Sequence, residues 1–375
     1  MLLGASMSFR QVRPVVRLLG RVHISASTIC RLTERAGAGL VAVEEAMVSE
    51  IERTMPDAPV GAACQQVSVD GAMVPLRGGE WREAKTAAIG ELAITQPGKT
   101  QSLSYVSRLQ DHERFARVAT AELHRRGTFV ADQVVAVVDG ALWCQGFYDY
   151  HLPNAVRVLD FPHAVEHLNQ AGQVCFGPGS AQLSEWLGPQ RHALKHGDPQ
   201  TVVDAIARLP VESAADPHQA AKIRDQVHGY LQPRVAQMAY ANFTAQGFPI
   251  GSGIVESANK LVVEDRLKGA GMHWKEEHVD PILALRCAIC SHRWEELWPA
   301  ISKQRRHAAR RSVSRPPMPL PDPIPEPEPT TPASLLPSPV PKLPMFVNGK
   351  PTLNHPWKQT YQSSSQESVA SIPKT

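Results

Sequence analysis

QVVAVVDG, residues 133–140, is an apolar, largely β-branched run that ends abruptly on an aspartate and a glycine. Val134 to Val138 carry no polar residue, as expected of a central strand covered on both faces. A carboxylate at the end of such a strand is costly unless it is paired, hydrogen-bonded or met by a cation. Upstream, QVSVDGAMVPL (66–76) alternates and places Asp70 before another glycine. EWREAKTAAIGEL (80–92) follows a Gly78–Gly79 turn, and SLSYVSRL (102–109) is a third extended run, so the three read as a strand meander. DHERFARVATAELHRRG (111–127) is a helix opened by Asp111 and closed by Gly127. Downstream of the apolar run come a helical stretch from Leu142 to Tyr150, a short strand AVRVLD (155–160) and a helix from about Pro162. Three strands, helix, strand, helix, strand is the order of a mixed α/β sheet.

The flanks divide the rest. Residues 176–248 show only helical pattern, so an all-α insertion is expected between the sheet (63–175) and its last helices (249–311). The N-terminal region, 1–62, is helical. SFRQVRPVVRLLG ends at Gly20, SASTICRLTERAG opens on a Ser25–Ser27 cap and ends at Gly37, and an amphipathic helix and a connector follow. Helix, short break and a second helix rich in small and hydroxyl residues describe a helix-turn-helix, whose exposed face would carry Ser27, Thr28, Arg31 and Arg35 toward DNA. Two short helices joined by a turn also occur in proteins that bind no DNA. Thirteen of the 32 prolines fall between Pro316 and Pro344, which predicts a disordered, proline-rich tail over 312–375. The basic run KQRRHAARR (303–311) before it reads either as a solvated helix end or as a phosphate contact.

Composition narrows the function classes. With 43% hydrophobic and 20% charged residues, most of the 375-residue chain can bury a core. No apolar run reaches eighteen residues and the apolar start is broken by arginines, so neither a membrane span nor a secretory signal is expected. Six irregularly spaced cysteines point to a reducing cytoplasm, and Cys287 and Cys290 read as buried thiols of a helix. A net charge of +3 neither demands nor forbids a polyanionic partner.

Acids carry the chemistry. Asp70 and Asp139 each precede a glycine on strands of one sheet, and Glu256 sits in GSGIVESANK (251–260) as a helix begins. Taken singly, the aspartates could cap turns and Glu256 could be a first-turn residue favoured by the helix dipole. Together, three hard oxygen ligands suit Mg²⁺ or Mn²⁺, and two such ions can drive phosphodiester cleavage. An Asp, Asp, Glu set on such a meander is the plan of an RNase H-like phosphotransferase. Lesser candidates are Arg77 and Lys85 in the meander, Asn259 and Lys260 one turn past Glu256, and His273, Trp274 and Lys275 in GMHWK (271–275).

VSVDGAMVPLRGGEWREAKTAAIGEL, VVDGALW, VLDFPHAVEHL and GSGIVESANKLVVEDRLKGAGMHW together resemble the DDE transposases of bacterial insertion sequences, nearest the ISKra-type group, itself similar to the Mutator-like superfamily. The likeness spans roughly Ser8 to Trp298, and NHPWK (354–358) resembles that group's ending. It implies Asp70, Asp139 and Glu256 as catalytic acids and ligands of two Mg²⁺ or Mn²⁺ ions, with Asp160 and His163 of DFPH as an accessory element. Asp160 is the alternative second acid. It further implies cleavage and strand transfer at insertion-sequence ends, with the terminal inverted repeats and target DNA as partners. A dimer or higher assembly on nucleoid-associated DNA is part of the same expectation. A non-catalytic DNA-binding regulator, or a nuclease without strand transfer, is the competing expectation.

Overall fold

The computed structural model describes residues 1–93 and 95–313, with the pairs Phe346–Val347 and Lys350–Pro351. Backbone contacts divide the chain into two compact units, Met1–Ser312 and Val313–Thr375. Nearly all of the expected proline-rich tail, including Asn354 to Lys358, lies outside the described residues.

The first unit opens with α1 (Leu2–Ser6), α2 (Phe9–Gly20) and α3 (Ala26–Thr54). Ser8 caps α2 in a reciprocal capping box with Gln11, and the Ser25 side chain caps α3 by accepting from the Thr28 N–H at 3.1 Å. Contrary to the expected stop at Gly37, α3 runs unbroken for 29 residues. Gly37 serves helix crossing instead: a Cβ there would lie 2.0 Å from the Pro281 carbonyl oxygen. Its missing side chain admits another helix, which is why a residue that often ends helices sits inside this one.

β1 (Cys64–Pro75), β2 (Trp81–Leu92) and β3 (Thr100–Arg108) form the antiparallel meander. Gly78 and Gly79 both have positive φ, +91° and +85°, as a tight hairpin requires. After α4 (His112–Arg125), β4 (Gln133–Val138) pairs in parallel with β1; after α5 (Leu142–His151), β5 (Val156–Leu159) pairs in parallel with β4. The result is a five-stranded mixed sheet in the order β3-β2-β1-β4-β5.

Alternation along the strands divides the core. Val67, Val69, Val134, Ala136 and Val138 face α4 and α5, packing on Phe115 and Phe147. The opposite face is covered from two directions. Over β4 and β5 lie α6 (Phe161–Phe176), α7 (Ala181–His196), α8 (Pro199–Ala207), α9 (Pro217–Leu231) and α10 (Tyr240–Ala245), with Val137, Val158, Leu168, Ile206, Leu231 and Met238 in one cluster. The helical block is thus a cover for the sheet and shares its core. Over β1 and β2 lies a helical run made of α11 (Gly253–Ala258), a π-helical stretch (Asn259–Glu264) and α12 (Asp265–Leu267), followed by α13 (Glu276–Cys290). α14 (Trp294–Val313) and α13 close a further cluster with α1 and α3 through Ala5, Leu40, Leu285 and Ile301.

The crossing at Gly37 yields a test of opposite signs. Gly37→Ala should destabilise the protein by about 1–3 kcal/mol, because backbone must move to admit the methyl group. Gly146→Ala in α5, where an added Cβ meets nothing within 4 Å, should stabilise it by about 0.5–1 kcal/mol. Urea denaturation midpoints measure both, and an unchanged midpoint for Gly37→Ala would refute the crossing.

Candidate active site

Strand register brings the acids together. The β1–β4 partners run from Cys64↔Gln133 to Val67↔Ala136, each 69 residues apart. Asp70 and Asp139 have the same separation (139 − 70 = 69), so that register, continued past its last pair, sets them level, Asp70 within β1 and Asp139 just past the end of β4. β4 and β5 pair with an offset of 21, and Asp160 follows Asp139 by 21 (160 − 139), again in line. The Asp160 N–H extends that ladder by donating to the Val138 carbonyl at 2.7 Å. Because Val69 and Val138 point toward α4 and α5, the residues after them point to the other face, where α11 lies.

There Asp70, Asp139, Asp160, His163, Glu166 and Glu256 line one cavity of about 210 Å³. Asp70 accepts from its neighbour's N–H (Gly71, 2.7 Å) through Oδ1 and from Asn259 Nδ2 (2.8 Å) through Oδ2. Burial, reinforced by the negative charges of Asp139, Glu83 and Glu256, pushes its carboxyl up to about 7 against the opposing Gly71 hydrogen bond. Asp139 Oδ1 accepts from the Ala141 N–H at 3.0 Å, an Asx turn. Glu256, exposed in the first turn of α11, accepts from Ser252 Oγ at 2.9 Å.

Asp160 works differently. It is 4% exposed, and both its oxygens are held by backbone: Oδ2 accepts from the His163 N–H (2.9 Å), capping α6, and Oδ1 from the Ser252 N–H (2.7 Å). With Phe161 N–H on the Ile250 carbonyl at 2.9 Å, it ties the start of α6 to the turn from which α11 departs. The His163 ring lies with its Nε2 3.2 Å from His167 Nε2 and its Nδ1 3.8 Å from Glu166. Burial first, then the neighbouring His163 and Arg234, lower the His167 pKa to about 4.

The lesser candidates separate. Asn259 is buried and donates to Asp70. Lys85 is 9% exposed, paired with Glu83 at 3.0 Å and set over the Trp143 ring, so it is no open strand cation. Trp274 is core: its Nε1 donates to the Leu267 carbonyl at 3.1 Å and its ring meets Phe9 and Arg266. His273 and Lys275 are exposed beside it, Lys275 pairing with Glu277 at 3.3 Å. That segment hydrogen-bonds along Pro75–Arg77 at the far end of β1, where Arg77 is exposed. Lys260 is exposed on the helical run that carries Glu256. Cys287 is buried, its thiol raised by desolvation, and Cys290 is half-buried. Arg31 and Arg35 are exposed on α3 and Thr28 is half-buried, its hydroxyl 2.9 Å from Ser25 Oγ. The sequence reading missed Ser252, Glu83, Tyr230 and Arg234. The spacing of Glu166 and His167 from His163 was visible in DFPHAVEH, but nothing local marked the others.

Among the described residues, no three His, Cys, Asp or Glu side chains are gathered tightly enough to hold a metal ion as they stand. Asp70 and Glu256 are turned onto neutral neighbours, Asn259 and Ser252. The donor type nonetheless fits a hard divalent cation: all-oxygen acids crowd one cavity, and their repulsion is what a cation would relieve. No protein-family model matches the chain, and no curated protein matches it.

The burial of Asp70 among other acids has a pH signature in chelator-treated protein. A carboxyl whose folded pKa is raised contributes stability below its unfolded value of about 4, and that stability is lost as pH rises through about 7. Between those limits the wild type should lose roughly 2–4 kcal/mol relative to Asp70→Asn. Denaturation midpoints of the two proteins at pH 4 to 8 measure this, and parallel curves would contradict it.

Proposed function

We propose that the chain is a DDE-type DNA transposase, cutting the ends of an insertion sequence and joining the 3′-hydroxyls to target DNA. The carrying observation is the single cavity lined by Asp70 of β1, Asp139 just past the end of the parallel strand β4, and Glu256 of α11. The strand order β3-β2-β1-β4-β5, with only β2 reversed relative to its neighbours, supports an RNase H-like core.

Asp70, Asp139 and Glu256 are the residues that would hold two Mg²⁺ or Mn²⁺ ions. Such ions supply activation of a water or 3′-hydroxyl and stabilisation of the leaving oxygen. The chain's own part is placement. Asn259 and Ser252 hold Asp70 and Glu256 in reach of the cavity, and Asp160 ties the start of α6 to the turn before α11. That division favours Asp139 over Asp160 as the second acid, because both oxygens of Asp160 are committed to backbone N–H groups. The nucleophile is water or a 3′-hydroxyl, so no covalent enzyme intermediate forms.

DNA recognition falls to the N-terminal helices, read as a helix-turn-helix. α2 has Arg10, Arg13 and Arg17 exposed and no acid, and α3 adds exposed Arg31 and Arg35. This basic surface suits phosphates. Pairing of two element ends calls for at least a dimer on DNA. Among the described residues no helix is long and apolar enough to cross a membrane.

The test uses full-length protein, Mg²⁺, a labelled duplex from the DNA flanking the gene and a target plasmid. Joined product supports the transposase, nicking alone a nuclease, and a mobility shift without cutting a DNA-binding regulator. Asp70→Asn, Asp139→Asn and Glu256→Gln should each slow cutting by more than roughly 10²-fold, beyond what loss of a supporting residue costs. Duplex affinity should persist, while Arg31→Ala with Arg35→Ala should weaken it. Activity retained in Asp139→Asn but lost in Asp160→Asn would move the second-acid role to Asp160.

A further inference from the structure

Tyr230 and Arg234 stand at the end of α9 and just beyond it, 91 and 94 residues from the backbone groups they bind. Tyr230 Oη donates to the carbonyl of Asp139, and Arg234 Nη2 donates to the carbonyl of Gly140 at 3.2 Å. The two side chains brace each other. The Arg234 guanidinium lies 4.1 Å from the Tyr230 ring centre, and its Nη1 donates to Tyr230's own carbonyl at 2.7 Å. The His167 ring lies 4.2 Å from that of Tyr230, inclined by 30°.

The turn they grip has no slack. Gly140 has φ +87°, and a Cβ there would fall 2.2 Å from Tyr230 Oη and 3.2 Å from Arg234 Nε. Glycine is therefore required twice, for its backbone angle and for the tyrosine's approach. The Asp139 carboxylate takes its direction from the same turn, since its Oδ1 accepts from the Ala141 N–H.

The geometry points to Tyr230 and Arg234 as positioning residues for Asp139: the helical block holds the Asp139–Gly140 turn and so aims the Asp139 carboxylate into the acidic cavity. This rests on the transposase reading, which gives Asp139 its part in cutting. It also gives the helical block between the sheet and its last helices a purpose beyond covering β4 and β5. Removing either grip leaves the carboxylate present but less well aimed, a loss of the kind caused by deleting a partner behind a ligand.

Full-length wild type, Tyr230→Phe, Arg234→Ala and Arg234→Lys are to be compared in three measurements. These are cutting of the end duplex with Mg²⁺, Mn²⁺ affinity from the ion's paramagnetic resonance signal, and duplex affinity alongside the thermal midpoint. Tyr230→Phe and Arg234→Ala should cut about 10–100-fold more slowly and bind Mn²⁺ about 10-fold more weakly. Their duplex affinity should stay at the wild-type value and their thermal midpoint should fall only by the few degrees that a lost hydrogen bond costs, and Arg234→Lys, which still donates, should recover part of the losses in cutting and Mn²⁺ affinity. A Tyr230→Phe protein equal to an active wild type in cutting and Mn²⁺ affinity overturns the positioning role alone. So does one whose cutting falls only in step with its thermal midpoint and duplex affinity. A wild type that neither binds Mn²⁺ nor cuts overturns the transposase reading itself, and the positioning role with it.

Discussion

Carboxylates repel, and this chain gathers them on three adjacent parallel strands, within β1 and just past the ends of β4 and β5. Asp70, Asp139 and Asp160 fall in one line across β1, β4 and β5, and Glu256 joins them from α11. In water such neighbours would separate; here the hydrogen-bonded ladder forbids it. Each acid is offset by donors that the fold brings to it. Backbone N–H groups serve Asp139 and Asp160, an amide serves Asp70 and a hydroxyl serves Glu256. Donors do not cancel the cost at Asp70: it has one on each oxygen, the Gly71 N–H and Asn259 Nδ2, yet burial and the neighbouring acids still drive its carboxyl up to about 7. Burial and repulsion acting together on an acid in an open cavity mark a place where a cation or a proton belongs.

The covering helices follow from that arrangement. A strand end carrying an acid cannot be sealed by apolar side chains, so the helical cover parts there. α6 to α10 cover the apolar lengths of β4 and β5, and the run from Gly253 to Leu267 covers β1 and β2. The acids line the cavity between these covers. Within the second run the helix widens to π geometry at Asn259, the residue that donates to Asp70. Widened turns of this sort are often found where a helix supplies a side chain to a site.

Charge elsewhere in the first unit is spent on joining elements. Arg108, 1% exposed, pairs with Glu44 and so ties β3 to α3, and Arg293 meets Glu122 at 2.7 Å to tie the segment after α13 to α4. Arg266, 2% exposed, donates to the Gly4 carbonyl at 3.0 Å and lies over the Phe9 and Trp274 rings. The N-terminal helices are thereby fastened to the helical run that carries Glu256. The arginines of α2 are different: they are exposed, and α2 carries no acid to meet them.

Local chemistry was enough to determine the strands, most helix limits and the two Asp-Gly pairs. Periods of two and 3.6, glycines at positive φ and side-chain caps all act within a few residues, so they are written where they act. Gly37 misled for the same reason: its local meaning is a helix stop, and its actual use, at the crossing with Pro281, lies more than two hundred residues away. What only the tertiary structure decided was which acids meet and what holds them. The 69-residue register of β1 on β4, the Ser252 and His163 N–H groups on Asp160, and the grip of Tyr230 and Arg234 on the Asp139 turn all join distant segments. Such contacts leave no local period or motif, because a hydrogen bond across 91 residues constrains two positions and says nothing about the chain between them.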